Sequence, residues 1–244
     1  MAFIHGKATG VLINASDFTS YLNDASSSGE IDAAETTVFG TGVKQYMVGL
    51  ADGKVSLGGL FDGGAGASDA LTATMLANAI STGTDVVVTY GMEGIADGKR
   101  CHMAQGVLTS YEVTSAVGDV NEAKYEVQTD GGVWSGFVLE GKQSVSTATT
   151  TLGTGIDHGT TSPNGVSATL HVTANANAGS TTLKVQHSVD NTTYTDLVTF
   201  TAIPASTTGF QYATAAGTVN RYLRGQSVTA GAGNITYTIS AARR

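Results

Sequence analysis

The chain has a single cysteine, Cys101, among 244 residues, so no disulfide framework can form within it, and a reducing site of synthesis is expected. Only two prolines accompany 32 glycines, which argues against a proline-rich disordered linker protein. Charged residues are scarce, at 13%, and a large β surface with so little charge is expected to be covered in an assembly. No apolar run approaches the length of a membrane-spanning helix, and the opening MAFIHGKATG lacks the apolar core and cleavage pattern of an export signal. No membrane partner is expected. Absent too are a Gly-x-Ser-x-Gly elbow, a His-Glu-x-x-His helix and a Cys-x-x-Cys pair. His5 stands alone, and adjacent Cys101 and His102 would point to opposite faces of a strand, so they make no nucleophile–base pair. No catalytic residue, cofactor or metal is assigned. Glu30, Asp32 and Glu35 lie close together but lack calcium-loop spacing. Gly63–Ala67 lacks the Gly-Lys-Ser/Thr of a phosphate loop. Glu122, Glu126 and Glu140 would suit a glycan hydrolase only if two of them faced each other across a cleft.

What is abundant is Gly, Ala, Thr, Ser and Val, the composition of strands and turns. The reading is a mostly β chain with one good helix. Lys7–Ile13 reads as an opening strand, and Ser16 or Asp17 as the cap of a short helix through Leu22. Asn23–Ile31 reads as a polar loop. Val43–Leu50 and Lys54–Phe61 read as two strands joined at Ala51-Asp52-Gly53, with a bulge at Gly58-Gly59. Ser68 or Asp69 caps a helix whose Leu71, Met75, Leu76, Ala79 and Ile80 share one face. Strands follow at Thr84–Met92, Arg100–Thr114, Val120–Gln128 and Gly131–Glu140. The composition then shifts at Ser144–Ser162, a polar segment read as a boundary. Beyond it, period-two patterns such as Val166, Ala168, Leu170 and Val172 predict about six strands and a second β-sandwich. The expected domains are 1–150, a linker at 151–163, and 164–244.

Net charge is −8, split as −10 over residues 1–150 and +2 over 151–244. The first part lacks the basic footprint that gripping DNA requires.

Several short stretches together resemble a known family. Glu35-Thr36-Thr37-Val38-Phe39-Gly40 is followed by Lys44-Gln45-Tyr46, by Gly49-Leu50, and by Ser56-Leu57-Gly58-Gly59-Leu60-Phe61-Asp62. With Asp17–Leu22 upstream and Ser68–Ile80 downstream, this order resembles the major tail protein, the tail tube subunit, of long-tailed bacteriophages. The likeness runs from about Phe3 to Lys142. It implies a β-sandwich or barrel with one flanking helix, and self-assembly into stacked hexameric rings through which DNA passes at ejection without specific binding. It also implies other tail proteins as partners and a virion location after assembly in the host cytoplasm. Interface residues would then be Thr36, Thr37, Val38, Phe39, Gly40, Lys44, Tyr46, Gly58, Gly59 and Phe61. The C-terminal part looks like an Ig-like or jelly-roll sandwich and is similar to carbohydrate-binding modules. That makes Tyr194, Tyr212 and Tyr222 candidate contacts to a host-surface glycan; otherwise they are cross-strand pairs. The alternatives from other classes are a capsid decoration protein, a surface adhesin or carbohydrate-binding module, and the glycan hydrolase.

Overall fold

A computed structural model describes residues 6–40 and 42–244; His5, and Thr41 within the Thr36–Lys44 segment, lie outside them. The protein is mostly antiparallel β with one α-helix, as its composition implied. In chain order the strands are β1 (Gly10–Ile13), β2 (Ser16–Asp17), β3 (Leu22–Glu35), β4 (Tyr46–Leu60), β5 (Val86–Gly91), β6 (Arg100–Thr114), β7 (Glu122–Thr129) and β8 (Trp134–Val145). They continue as β9 (Thr150–Leu152), β10 (Ile156–Asp157), β11 (Val166–Asn175), β12 (Thr181–Ser188), β13 (Thr195–Thr199), β14 (Gly209–Ala215), β15 (Tyr222–Thr229) and β16 (Ile235–Arg243). The helix α1 spans Ser68–Thr82. Contacts divide the chain into a sandwich unit (1–21, 86–103, 134–244) and a hairpin unit (22–85, 104–133).

In the hairpin unit, β3 pairs along its whole length with β4, and β4 pairs on its other side with β7, which continues to β6. The two strands expected at 43–61 are one. Asp52-Gly53 makes no turn, because Asp52 lies opposite Glu30 and Gly53 opposite Gly29 in an unbroken ladder. Gly53 is needed there for close approach instead. A Cβ would stand 2.7 Å from Thr129 Oγ1 and 3.0 Å from the Ser28 carbonyl. The chain reverses at Thr36–Gln45, and Asn23–Ile31, expected as a loop, is strand because β4 supplies its hydrogen bonds. The bulge expected at Gly58-Gly59 lies opposite them, with Asn23 of β3 as the extra residue.

Helix α1 starts without a side-chain cap: its N-cap is Ala67, not Ser68 or Asp69, and Gly83 closes it in the left-handed conformation, φ 62°. Its buried line is Ser68, Thr72 and Met75, while Ile80 is exposed. The correction follows from two tyrosines. Tyr111 and Tyr125 stack at 5.3 Å, and Tyr111 donates to Asp69 Oδ1 at 2.5 Å, which holds the first turn and its small residues against the sheet. Burial and the Asp69 carboxylate raise the Tyr111 phenol above its ordinary range. Removing that charge-assisted bond in Tyr111→Phe should cost about 1–3 kcal/mol. Chemical denaturation of this variant beside Asp69→Asn checks it: the double variant should cost no more than the larger single loss.

In the sandwich unit, one sheet runs β14-β11-β16-β8 and continues through the first residues of β6 to β5, β1 and β2. The second sheet runs β10-β15-β12-β13, with β9 also on β15. Between the sheets lie Val166, Leu170, Val172, Leu183, Val185, Leu223, Ile235, Tyr237 and Ile239. Their period-two spacing is what made the strands readable. The segment expected as a linker instead carries β9 and β10, which pair with β15, and β8 runs on to Val145 and pairs with β16. Ser16–Leu22 forms no helix. Ser16-Asp17 pairs with Leu12-Ile13, and Asp17 Oδ1 accepts the Thr19 N–H at 3.0 Å, a local bond that competes with helix. On the outer face of β11, His171 is fully buried, between the Asn14 carbonyl at 2.7 Å and Thr89 Oγ1 at 2.8 Å. Cys101 is buried, its thiol pushed up to about 12, and neighbouring His102 is half-buried.

Candidate functional site

The candidate site is an arm formed by the distal ends of β3 and β4. Beyond the point where β7 stops pairing, Ile31–Glu35 and Tyr46–Leu50 have only each other as strand partners among the described residues. The register shifts here between Ile31 and Ala33, and Gly49 admits the close approach of Asp32: a Cβ would lie 2.8 Å from Asp32 Cβ and 3.1 Å from its carbonyl oxygen. The tip is tied by Thr36 N–H to the Gln45 carbonyl (2.8 Å), by Gln45 N–H to Thr37 Oγ1 (3.0 Å) and by the Lys44–Glu35 ion pair (3.1 Å). Gly40 takes φ 93°, a left-handed position that suits glycine.

The surface of this arm is unusual for a chain in water. Ile31, Val38, Phe39, Val43, Tyr46, Met47, Val48 and Leu50 are all exposed, Phe39 completely and Leu50 by 79%. Val43, Met47, Val48 and Leu50 marked the stretch as a strand. None of those side chains is buried. So many exposed apolar side chains on one hairpin make it the candidate contact site, where each would stabilise by about 1.5–3 kcal/mol if covered. Among the described strands, β3 pairs with β4 alone.

Of the interface residues expected from sequence, Thr36, Thr37, Val38, Phe39, Gly40, Lys44 and Tyr46 come together on the arm. Gly58, Gly59 and Phe61 do not. Gly58 and Gly59 sit at the other end of β4 with strands on both sides, and half-buried Phe61 is anchored to Asn121. Ile31, Met47, Val48 and Leu50 are exposed on the same arm but were not named individually as candidates, because an apolar strand residue reads as core until its burial is known.

The candidate glycan tyrosines do not form one platform. Tyr222 lies on β15 of the second sheet and Tyr194 just before β13 of the same sheet, but Tyr212 lies on β14 of the first, opposite Thr169. Arg224 already covers one face of Tyr194 at 3.7 Å, and Arg221 lies 5.0 Å over Tyr222.

The three glutamates weighed for glycan hydrolysis are placed separately. Glu122 is exposed, Glu126 pairs with Lys54 at 2.6 Å, and Glu140 is buried in the sandwich unit. Glu140 Oε2 accepts from Tyr237 Oη at 2.5 Å. Its Oε1 receives no well-formed hydrogen bond, since the nearby Gly153 N–H is committed to the Gly225 carbonyl at 2.9 Å. Burial pushes this carboxyl up to about 7, opposed by Tyr237 and reinforced by Asp97. An acid raised from 4.5 to about 7 by folding loses stability as pH rises across that window, by about 3 kcal/mol. Glu140→Gln should therefore be the more stable protein above pH 7. Urea titrations at pH 5 and pH 8 check this; an equal difference between the two proteins at both pH values would count against it. No sequence signal marks Glu140, which sits in an ordinary strand.

No known family profile matches this chain, and neither does any curated protein. Among solved structures, a chain from the virion of a native gene transfer agent particle is similar over 54% of this chain and 97% of its own, with 11% identity and a TM-score of 0.41. The Dit protein of phage SPP1 is similar over 96% of this chain and 99% of its own, with 11% identity and a TM-score of 0.38. It is described as a paradigm of the hub of the adsorption apparatus in phages that infect Gram-positive hosts.

Proposed function

We propose that this protein is a structural virion component, the tail tube subunit of a long-tailed phage. It assembles through its arm into stacked hexameric rings around a channel for DNA. One observation carries the reading: an ordered hairpin arm whose eight large apolar side chains are all exposed. Covering that surface with another copy removes apolar area from water. The tail tube resemblance of Glu35–Asp62 falls on the same arm and its base. The hairpin unit carries 13 acidic and three basic residues, a charge that suits a wall past which DNA slides.

In this reading the arm that drives assembly belongs to residues 1–150, and most of residues 164–244 face outward. The boundary at 151–163 is one of function, since β8 and β9 fold with the C-terminal strands. A host-surface glycan remains a secondary partner for Tyr194 and Tyr222; a glycan array probed with the full chain tests that role, and no bound glycan opposes it.

Negative-stain electron microscopy of the purified chain over a range of concentrations, with light scattering for mass, tests the main reading. Six-fold rings or tubes are the expected result. A compact trimer would point to capsid decoration instead, and a monomer at every concentration would oppose the proposal.

A further inference from the structure

The two units carry opposite charge. The hairpin unit has a net charge of −10, whereas the sandwich unit has nine basic and seven acidic residues and holds all five arginines. Each unit also concentrates like charge at one place. On the hairpin arm, Glu30 stands directly opposite Asp52 across β3 and β4, a pairing that costs stability in isolation. Asp32 follows two residues on. Glu30 and Asp32 are exposed, and neither forms an ion pair among the described residues; Lys44 is taken by Glu35.

On the sandwich unit, Arg100, Phe137 and Ala241 form one row across β6, β8 and β16, and Arg243 lies two residues further along β16 on the same face. The Arg100 guanidinium lies 4.9 Å over the Phe137 ring, and His158 meets the same ring edge-on at 5.1 Å. Arg243 donates to the His158 carbonyl at 3.0 Å and to the Thr160 carbonyl. Neither arginine has a carboxylate partner among the described residues. Asp157, beside His158, is held by both nitrogens of Arg221, at 2.6 and 2.7 Å. His158 records the surplus of positive charge: burial first, then Arg243 and Arg100, hold it down to about 4, against the partial opposition of Asp157.

We propose that the Arg100–Arg243 face of the sandwich unit receives the arm of a second copy, with Glu30 and Asp32 pairing with the two guanidinium groups and the arm's apolar side chains covering Phe137. This rests on the assembly reading above and supplies the surface that the arm meets. Two self-repelling patches relieve each other, and a flat guanidinium over a ring suits both a carboxylate and an apolar neighbour. The two surfaces differ, so the contact is head-to-tail and passes from copy to copy, closing a ring or running on as a helix. Its charges set register and rate, while the apolar residues supply most of the stabilisation.

The test exchanges the charges. Arg100→Glu with Arg243→Glu makes one full-length variant, and Glu30→Arg with Asp32→Arg makes another. Circular dichroism and thermal melting confirm that each is folded. Each alone should need at least about tenfold more protein to assemble than the unmodified chain, because like charges then meet across the contact. An equimolar mixture should assemble near the original concentration, since each variant's arm finds a face of opposite charge on the other. A milder variant, Arg100→Gln with Arg243→Gln, guards against misfolding: its assembly should lose most of its dependence on salt between about 50 mM and about 500 mM.

Unchanged assembly by the glutamate variant overturns the pairing while leaving the tube reading intact, and so does failure of the mixture. A native chain that never assembles removes both. Normal assembly of the glutamate variant together with loss of heparin retention would reassign the face to phosphate and overturn the proposal.

Discussion

Replacing Met47, Val48 and Leu50 together by serine should abolish self-assembly and leave the fold of the single chain unchanged. All three side chains are exposed, so the free subunit loses no buried contact. Surface substitutions of this kind usually change stability by no more than about 0.5 kcal/mol. In an assembly the same three side chains would each contribute about 1.5–3 kcal/mol of burial. Losing them should raise the concentration needed for rings by two orders of magnitude or more, given about 1.4 kcal/mol per tenfold change. Sedimentation velocity and thermal melting, run side by side, separate the two effects. A variant that melts as the native chain does and still forms rings would show that the arm is not the contact. A variant that melts much lower would show that these side chains pack within the subunit.

The second large effect is a pH dependence that two buried groups impose in opposite directions. His171 Nδ1 donates to the Asn14 carbonyl, which can only accept, and in the neutral ring Nε2 is left to accept from the Thr89 hydroxyl. Burial lowers this histidine from 6.5 to about 4, partly offset by the Asn14 bond. A base whose pKa is depressed by folding is fully stabilising above 6.5, and that contribution is lost as pH falls toward 4, by about 3 kcal/mol. Glu140 runs the other way, becoming less favourable as pH rises from 4.5 to about 7. The two slopes overlap between pH 4.5 and pH 6.5 and oppose each other there.

Single variants should unmask each slope. Glu140→Gln should leave a protein that loses stability steeply on acidification. His171→Gln should cost about 1–3 kcal/mol at pH 7 through its imperfect replacement bonds, yet lose less than the native chain on going to pH 4.5. Urea titrations at four pH values, made on the serine arm variant so that assembly does not intervene, check both. Parallel profiles for the native chain and both variants would show that neither group governs the response.

Burial also explains which parts of this protein are legible in its sequence. The period-two runs of the sandwich unit, such as Val166–Val172 and Leu183–Val185, sit between two sheets, so a local pattern maps directly onto a buried face. Helix Ser68–Thr82 was legible as a helix but its buried line of Ser68, Thr72 and Met75 was not, and its end at Gly83 follows from glycine's freedom in the left-handed region. Asp52-Gly53 misled because the dipeptide favours a turn only where no partner strand competes, and here β3 and β7 flank β4. Ser144–Ser162 misled because short polar strands carry no apolar signature, and it is β15 that makes β9 and β10 strands.

By itself, then, the amino-acid sequence determined the β class, the one helix, the strand faces of the sandwich and the uneven charge, because each depends on composition or local period. The tertiary structure alone decided that Glu35–Leu50 stands out as an arm, that Glu140 and His171 are buried, and that Arg100 and Arg243 share a face. Those facts depend on which distant strand lies alongside, and pairing partners 73 or 157 residues apart, such as Asn14 with Val87 and with His171, leave no mark in a local window.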